Sequence, residues 1–210
     1  VERGNTGEEY PALEWFDSTG VTGPQGFLYG LGIMNNSKYS YSIDVNTMML
    51  TLLHSPVYAH HKPKELEEGI EYSVIDQGVQ ELKYSLYPHI GKWETSQLEI
   101  YSHLLNRPPI TIIETYHDGP FPQENSFIKI SEKNIVLSAM KKAEDSDDVI
   151  LRLYEAHKVY TEAVITLPLL GREIPLTFTP NEIKTISVPR DKERPVREVN
   201  LLEFDISDQN

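Results

Sequence analysis

Six side chains gather in sequence around one irregular stretch and could bind or polarise a ligand. They are His54, Tyr58, His60, His61, Asp76 and Gln80. The stretch "SPVYAHHKPKELEEGIEYSVI" (55–75) stands between strand-like segments. An irregular span beyond about 12–15 residues in a compact domain usually has a function or is disordered. Tyr58, His60, His61 and Tyr72 are poor choices for a disordered tether. Adjacent histidines suggest a metal, but neighbours on an extended chain point in opposite directions and rarely share an ion. Hydrogen-bonding or partner-contacting histidines are the simpler reading, and we assign no metal site to this chain. His54 ends one strand-like run and Asp76, with Gly78, stands at the mouth of another. If those strands are neighbours, His54, Asp76 and the loop's Tyr58, His60 and His61 meet at one end of the fold. Polar and aromatic groups placed together suit a sugar, whose hydroxyls need hydrogen bonds and whose C–H face packs on a ring. The alternative is that Asp76 caps a turn and Gly78 permits a bulge.

Other chemistries lack their signatures. There is no G-x-S-x-G, no phosphate-binding Gly-rich loop with Lys, no H-E-x-x-H and no dinucleotide fingerprint. The "YGLG" at 29–32 lies in a strand pattern and indicates close backbone approach or a bulge. The acidic "AEDSDD" (143–148) lacks the spacing and glycine of a calcium loop and is expected to be a solvated hairpin turn. Arg152 and Glu155 are three strand residues apart, face opposite sides, and are expected to pair with neighbouring strands. No catalytic residue is assigned within the chain.

The elements that position these residues are mostly strands. Two-residue alternation runs through 26–36 and 38–45, which flank Asn35-Asn36-Ser37, a tight-turn composition. "MMLTLLHS" (48–55) is apolar on both faces and reads as a central, covered strand. Further strands are expected at 79–87, 110–115, 126–130, 134–141, 149–156, 160–167, 173–179, 183–188 and 197–204. One segment, "ETSQLEIYSHLLNRPP" (94–109), sets Leu98, Tyr101, Leu104 and Leu105 at helical spacing, with Pro108 at its end. It reads as a single helix bridging two groups of strands. The fold class is therefore all-β, mainly antiparallel: a large β-sandwich with one short helix and one cooperative core over 1–210.

Composition narrows the partners. The 210 residues are 39% hydrophobic and 24% charged, ordinary for a globular protein. Acidic residues outnumber basic ones 32 to 19, giving a net charge of -13. That charge repels phosphate backbones and anionic lipid, so nucleic acid and membrane surfaces are not expected partners. Neutral ligands, sugars among them, remain. Cysteine is absent, which excludes disulfides and thiolate chemistry and fits a cytoplasmic setting. No apolar run reaches the roughly 20 residues of a membrane span. The opening "VERGNTGEEYPALEWFD" lacks the pattern of a signal peptide and reads as the middle of a fold.

Taken in series, "YSYSIDVNTMMLTLLHSP", "DQGVQELKYSLYPH", "LLNRPP", "SFIKI", "NIVLSAMKKAEDSDDVILRLYE" and "NLLE" resemble the C-terminal region of glycoside hydrolase family 38, the α-mannosidases. The blocks run in the family's order from about Glu8 to Glu203. The resemblance implies a supersandwich of galactose-mutarotase-like type, packed behind an N-terminal α/β catalytic domain that is absent from this chain. It implies retaining hydrolysis of terminal α-mannosides, with zinc or another divalent metal held in that catalytic domain and no cofactor in this one. It also places Asp76 at the domain interface or the sugar pocket. The missing catalytic domain and an α-mannoside or oligosaccharide are the implied partners; a homo-oligomer is left open. Relatives often carry Arg where this chain has His54 and His where it has Gln80, which leaves substrate preference and the parent's activity open. Three roles are compatible with the resemblance: an accessory domain completing an enzyme, an independent carbohydrate-binding module, or a purely structural sandwich.

Overall fold

The computed structural model describes residues 4, 6–57, 66–120 and 122–206. It is mostly antiparallel strand in several sheets, with one α-helix among the described residues, as the all-β sandwich reading requires. The chain divides into two compact units, Val1–Glu114 and Thr115–Asn210.

The first unit contains β1 (Thr6–Pro11), β2 (Trp15–Thr22), β3 (Phe27–Asn35), β4 (Ser40–Asp44), β5 (Thr47–Leu50), β6 (Tyr84–Ile90) and the helix α1 (Leu98–Asn106). They form two three-stranded sheets, in the orders β1-β4-β5 and β2-β3-β6. The turn expected at Asn35–Ser37 is present, built by the Asn35 side chain, whose Oδ1 accepts from the N–H groups of Ser37 (3.2 Å) and Lys38 (2.7 Å). It does not join paired strands: β3 and β4 belong to different sheets, so the chain changes sheet there. Phe16 of β2 stacks on Tyr41 of β4 with ring centroids 4.3 Å apart, linking the two sheets. β5 is shorter than expected and lies at a sheet edge rather than at the centre. Its apolar side chains, and those of Leu52 and Leu53 beyond it, are half-exposed or exposed.

The helix lies on β3 and β2 within this unit. Its inward stripe is Leu98, Ser102 and Leu105, at i, i+4 and i+7, while Leu104 faces solvent and the half-exposed Tyr101 meets Tyr87 edge to face, ring centroids 5.3 Å apart. The apolar residues alone pointed about one position away from this face. Gly32 permits the contact, because a Cβ there would overlap the Leu98 side chain. The helix end is tied to the start of β2: Glu14 receives His103 Nδ1 at 2.8 Å and Arg107 Nη1 at 2.9 Å. Pro108 follows, as expected of a helix stop.

The second unit contains β7 (Lys129–Ile130), β8 (Ile135–Lys142), β9 (Val149–Glu155), β10 (Thr161–Leu167), β11 (Arg172–Phe178), β12 (Ile183–Val188) and β13 (Arg197–Val199). Its sheets run β11-β10-β7 and β13-β12-β9-β8. Alternate residues of both sheets meet in one core: Ile135, Leu151, Leu153, Ala163, Ile165, Leu167, Ile174, Phe178, Ile186 and Val188. Each large member contributes about 1.5–3 kcal/mol by leaving water. Residues 143–148 form the β8–β9 turn as expected, but Asp148 is buried rather than solvated. Arg194 grips its carboxylate through Nη1 and Nη2 at 3.0 Å each, and Ser187 lies 3.3 Å away. Residues 110–115, expected as a strand, enter no sheet, since their β-forming composition meets no partner strand among the described residues. Only Arg197–Val199 of the expected 197–204 is strand, because Asn200 Oδ1 accepts from Leu202 and Phe204 and turns the chain.

Candidate functional site

After β5 the chain runs through His54 into the long irregular stretch, whose two ends are fastened together. Ser55 Oγ donates to the carbonyl of Ile75 at 2.6 Å, Ile75 N–H donates to Pro56 O at 3.1 Å, and Val57 bridges Val74. Gln77 Nε2 donates to Ser55 Oγ. His54 and Asp76 therefore flank one neck, each beside a residue that bonds to the other side. Both are exposed. Tyr58, His60 and His61 lie outside the described residues.

The backbone at Asp76 is left-handed, with φ 56°, and Gly78 follows at φ 105°. A non-glycine residue at positive φ is uncommon, and Asp is one of the types that tolerates it. Asp76 does not open a strand, however. β6 begins only at Tyr84, and the residues from Gln80 to Lys83 instead line an open depression of about 480 Å³ together with Asn36. The alternation read through 79–87 is strand only in its second half. The cause lies at Asn36, whose N–H donates to Lys83 O (3.2 Å) and whose Oδ1 accepts from Lys83 N–H (2.8 Å), closing the β3–β6 ladder there.

Glu9 of β1 supplies a carboxylate near His54. Hydrogen bonds from Thr51 and Ser40, together with the charge of His54, hold its carboxyl below the usual carboxylate range. The neck thus presents an imidazole, two carboxylates and amide groups to solvent. Such groups can hydrogen-bond the hydroxyls of a neutral ligand. They include no nucleophile held by a base, and among the described residues no three His, Asp or Glu side chains are arranged to hold a metal ion.

Sequence reasoning missed a buried polar group in the same unit. His89 Nε2 lies 2.8 Å from Asp17 Oδ1, and Thr19 Oγ1 donates to Asp17 Oδ2 at 2.6 Å. The side chains of His89 and Asp17 are only 3% and 5% exposed, so no substrate reaches them and they serve the fold. Gly30 of the "YGLG" lies beneath the imidazole and Thr19, where a Cβ would collide with both. The signals were there: two glycines two apart in a strand, and an aspartate in the strand before it.

Residues 134–186 match the family described as the glycosyl hydrolases family 38 C-terminal beta sandwich domain, and span β8 to β12 of the second unit. Alpha-mannosidase 2C1 of Mus musculus is 29% identical over 152 residues, covering 70% of this chain and 13% of that protein. Alpha-mannosidase G of Dictyostelium discoideum is 27% identical over 134 residues, 61% of this chain and 11% of that protein. An alpha-mannosidase of Saccharomyces cerevisiae is 30% identical over 126 residues, 57% of this chain and 10% of that protein. The crystal structure of an alpha-mannosidase from Enterococcus faecalis V583 shares the fold with a TM-score of 0.62 at 14% identity, over 88% of this chain and 22% of that one.

The fold is shared with the Enterococcus faecalis protein, and residues 134–186 carry the match to a glycosyl hydrolase β-sandwich domain. Within that class, the matched domain is the C-terminal beta sandwich domain of family 38, and the chain is similar to part of several α-mannosidases, the family its sequence blocks resemble. It spans about an eighth of the length of the curated relatives it matches.

Proposed function

We propose that the chain is the C-terminal accessory part, over 1–210, of a larger cytoplasmic α-mannosidase. In this reading the parent's catalytic domain removes terminal α-mannosyl groups with retention, through a carboxylate pair and a zinc ion held outside this chain. The present residues support that domain and contribute His54, Asp76 and Gln80, with Tyr58, His60 and His61, to the domain interface or the edge of the sugar pocket. The observation that carries the reading is the match of residues 134–186 to the family's C-terminal sandwich. The shared neck of His54 and Asp76 is what makes a grouped role for them physically reasonable.

The test is Asp76→Asn in the full-length polypeptide, which removes the carboxylate but keeps a residue that tolerates the left-handed backbone. The expected outcome is a fall of about tenfold in kcat/KM, the effect of losing roughly 1.4 kcal/mol of transition-state interaction, with the thermal midpoint unchanged. Unchanged kinetics with lowered stability would leave Asp76 as a turn residue and remove the site from the proposal.

A further inference from the structure

The outer strand β6 has an edge and a face, and the two differ. Gly91 N–H donates to Leu28 O at 2.9 Å, and Asn36 N–H donates to Lys83 O at 3.2 Å. With the β3–β6 register, this makes Gly30–His89 and Gly32–Tyr87 hydrogen-bonded pairs and Tyr29–Ile90, Leu31–Pro88 and Ile33–Leu86 the intervening non-bonded ones. The nitrogen of Pro88 therefore points away from β3, to the open edge. A strand added there would meet no donor at the middle of β6, so the edge is blunted against strand addition.

The face is not blunted. Tyr84, Leu86, Pro88 and Ile90 alternate onto the same side of the sheet as Tyr29 of β3. On this side Phe16 of β2 is covered by Tyr41, but over β6 the cover ends. Tyr84 and Leu86 are each 57% exposed and Ile90 is 84% exposed. The opposite side of the same sheet is closed by Leu98 and buries His89. A contiguous apolar patch on one face of a sheet is the usual mark of a contact surface.

We propose that this β6 face docks, face-on and by apolar contact, a neighbouring domain of the same longer polypeptide; the inference rests on the accessory-domain reading above. The relatives extend over polypeptides of which this chain covers 10–13%, and the matched sandwich is by its description C-terminal. The first unit precedes that sandwich in sequence, on the side where the bulk of such a polypeptide lies. A second copy of this chain is the poorer occupant, because each copy carries a net charge of -13.

The chain has no cysteine, which makes a thiol probe clean. Leu86→Cys and Ile90→Cys each place a thiol on the face without touching the core, and Leu169→Cys, at a residue 65% exposed in the second unit, serves as reference. Maleimide labelling at each site, read by mass spectrometry of its peptide, is compared between the 210-residue chain and the full-length polypeptide. The expected result is labelling at 86 and 90 about tenfold slower in the full-length polypeptide, relative to position 169, as burial of a reactive group requires. Equal relative rates in the two would overturn the proposal. Protection within the 210-residue chain that grows with its concentration would also overturn it, in favour of self-association. Neither readout depends on hydrolysis of a mannoside, so the accessory-domain reading can fail on kinetics while the docking result stands.

Discussion

Glu155 shows how one residue holds several turns. It has the same parity in β9 as Leu151 and Leu153, so the strand carries its carboxylate inward. Four donors meet it: Asn134 Nδ2 at 2.9 Å, and the N–H groups of His157 (2.7 Å), Val159 (3.2 Å) and Asn181 (3.0 Å). Burial alone raises its pKa, but these bonds, led by Asn181, outweigh burial and hold it below the ordinary carboxylate value. A depressed folded pKa means the stabilisation is present above the unfolded value and is lost as pH falls through the folded one. Glu155→Gln leaves one oxygen for four donors and should cost about 2–4 kcal/mol near neutral pH, since each buried donor left unpaired costs about 1–3 kcal/mol. Denaturant unfolding at neutral and acid pH should show the difference between Glu155→Gln and the parent chain shrinking as pH falls. A difference independent of pH would mean that the carboxylate's charge is not what the turns require. The sequence reading had Glu155 pairing with neighbouring strands; its actual partners are mostly backbone N–H groups of turns, which no side-chain pattern announces.

At the scale of elements, legibility follows what supplies the period. In the second unit the strands at 134–141, 149–156, 160–167, 173–179 and 183–188 lie within a residue or two of where alternation put them, because both sheets face one core. In the first unit the same reasoning overran. Residues 48–55 and 79–87 are only partly strand, and 110–115 is none, since β-forming composition specifies a strand only when a partner is in place. The neck joining His54 to Asp76 was inferable only as a conditional, because its bonds run between loop residues rather than between strands. The helix was legible in place but rotated in face. That rotation is checkable: Leu98→Ala should cost about 2–5 kcal/mol, the range for a buried leucine, whereas Leu104→Ala on the exposed side should stay within about 0.5 kcal/mol. Similar losses for the two in denaturant titrations would show that the inward stripe has been misassigned.

For the whole molecule, the two units differ in how far each closes on itself. Among the described residues the second has a continuous core of ten buried residues, while the hydrophobics buried in the first are Phe16, Ile33, Met34 and Leu98; both units leave large apolar side chains exposed, Ile90 in the first and Leu202 in the second. An accessory role predicts that hydrolysis needs what lies outside the chain. The 210-residue chain is expected to release no product from an aryl α-mannoside, with or without added zinc, in a chromogenic assay in which the full-length polypeptide turns over. Turnover removed by a substitution inside the 210 residues would reverse the assignment of catalysis to the rest of the polypeptide.

The segment 110–116, Ile-Thr-Ile-Ile-Glu-Thr-Tyr, is exposed at Ile110 (92%), Ile113 (96%) and Tyr116 (98%) and lies in no sheet. Rich in β-branched residues and carrying one charge, it has the composition from which cross-β fibrils nucleate. Pro108 and Pro109 stand immediately before it, with Pro120 and Pro122 shortly after. Proline cannot donate to a growing ladder, so the four act as gatekeepers that keep a sticky template too short to propagate. Removing one bracket should convert solubility into a matter of time: Pro109→Thr is expected to shorten the lag of thioflavin-positive assembly by about twofold or more at equal concentration. An unchanged lag would mean that the glutamate at 114, rather than the flanking prolines, keeps the segment in solution.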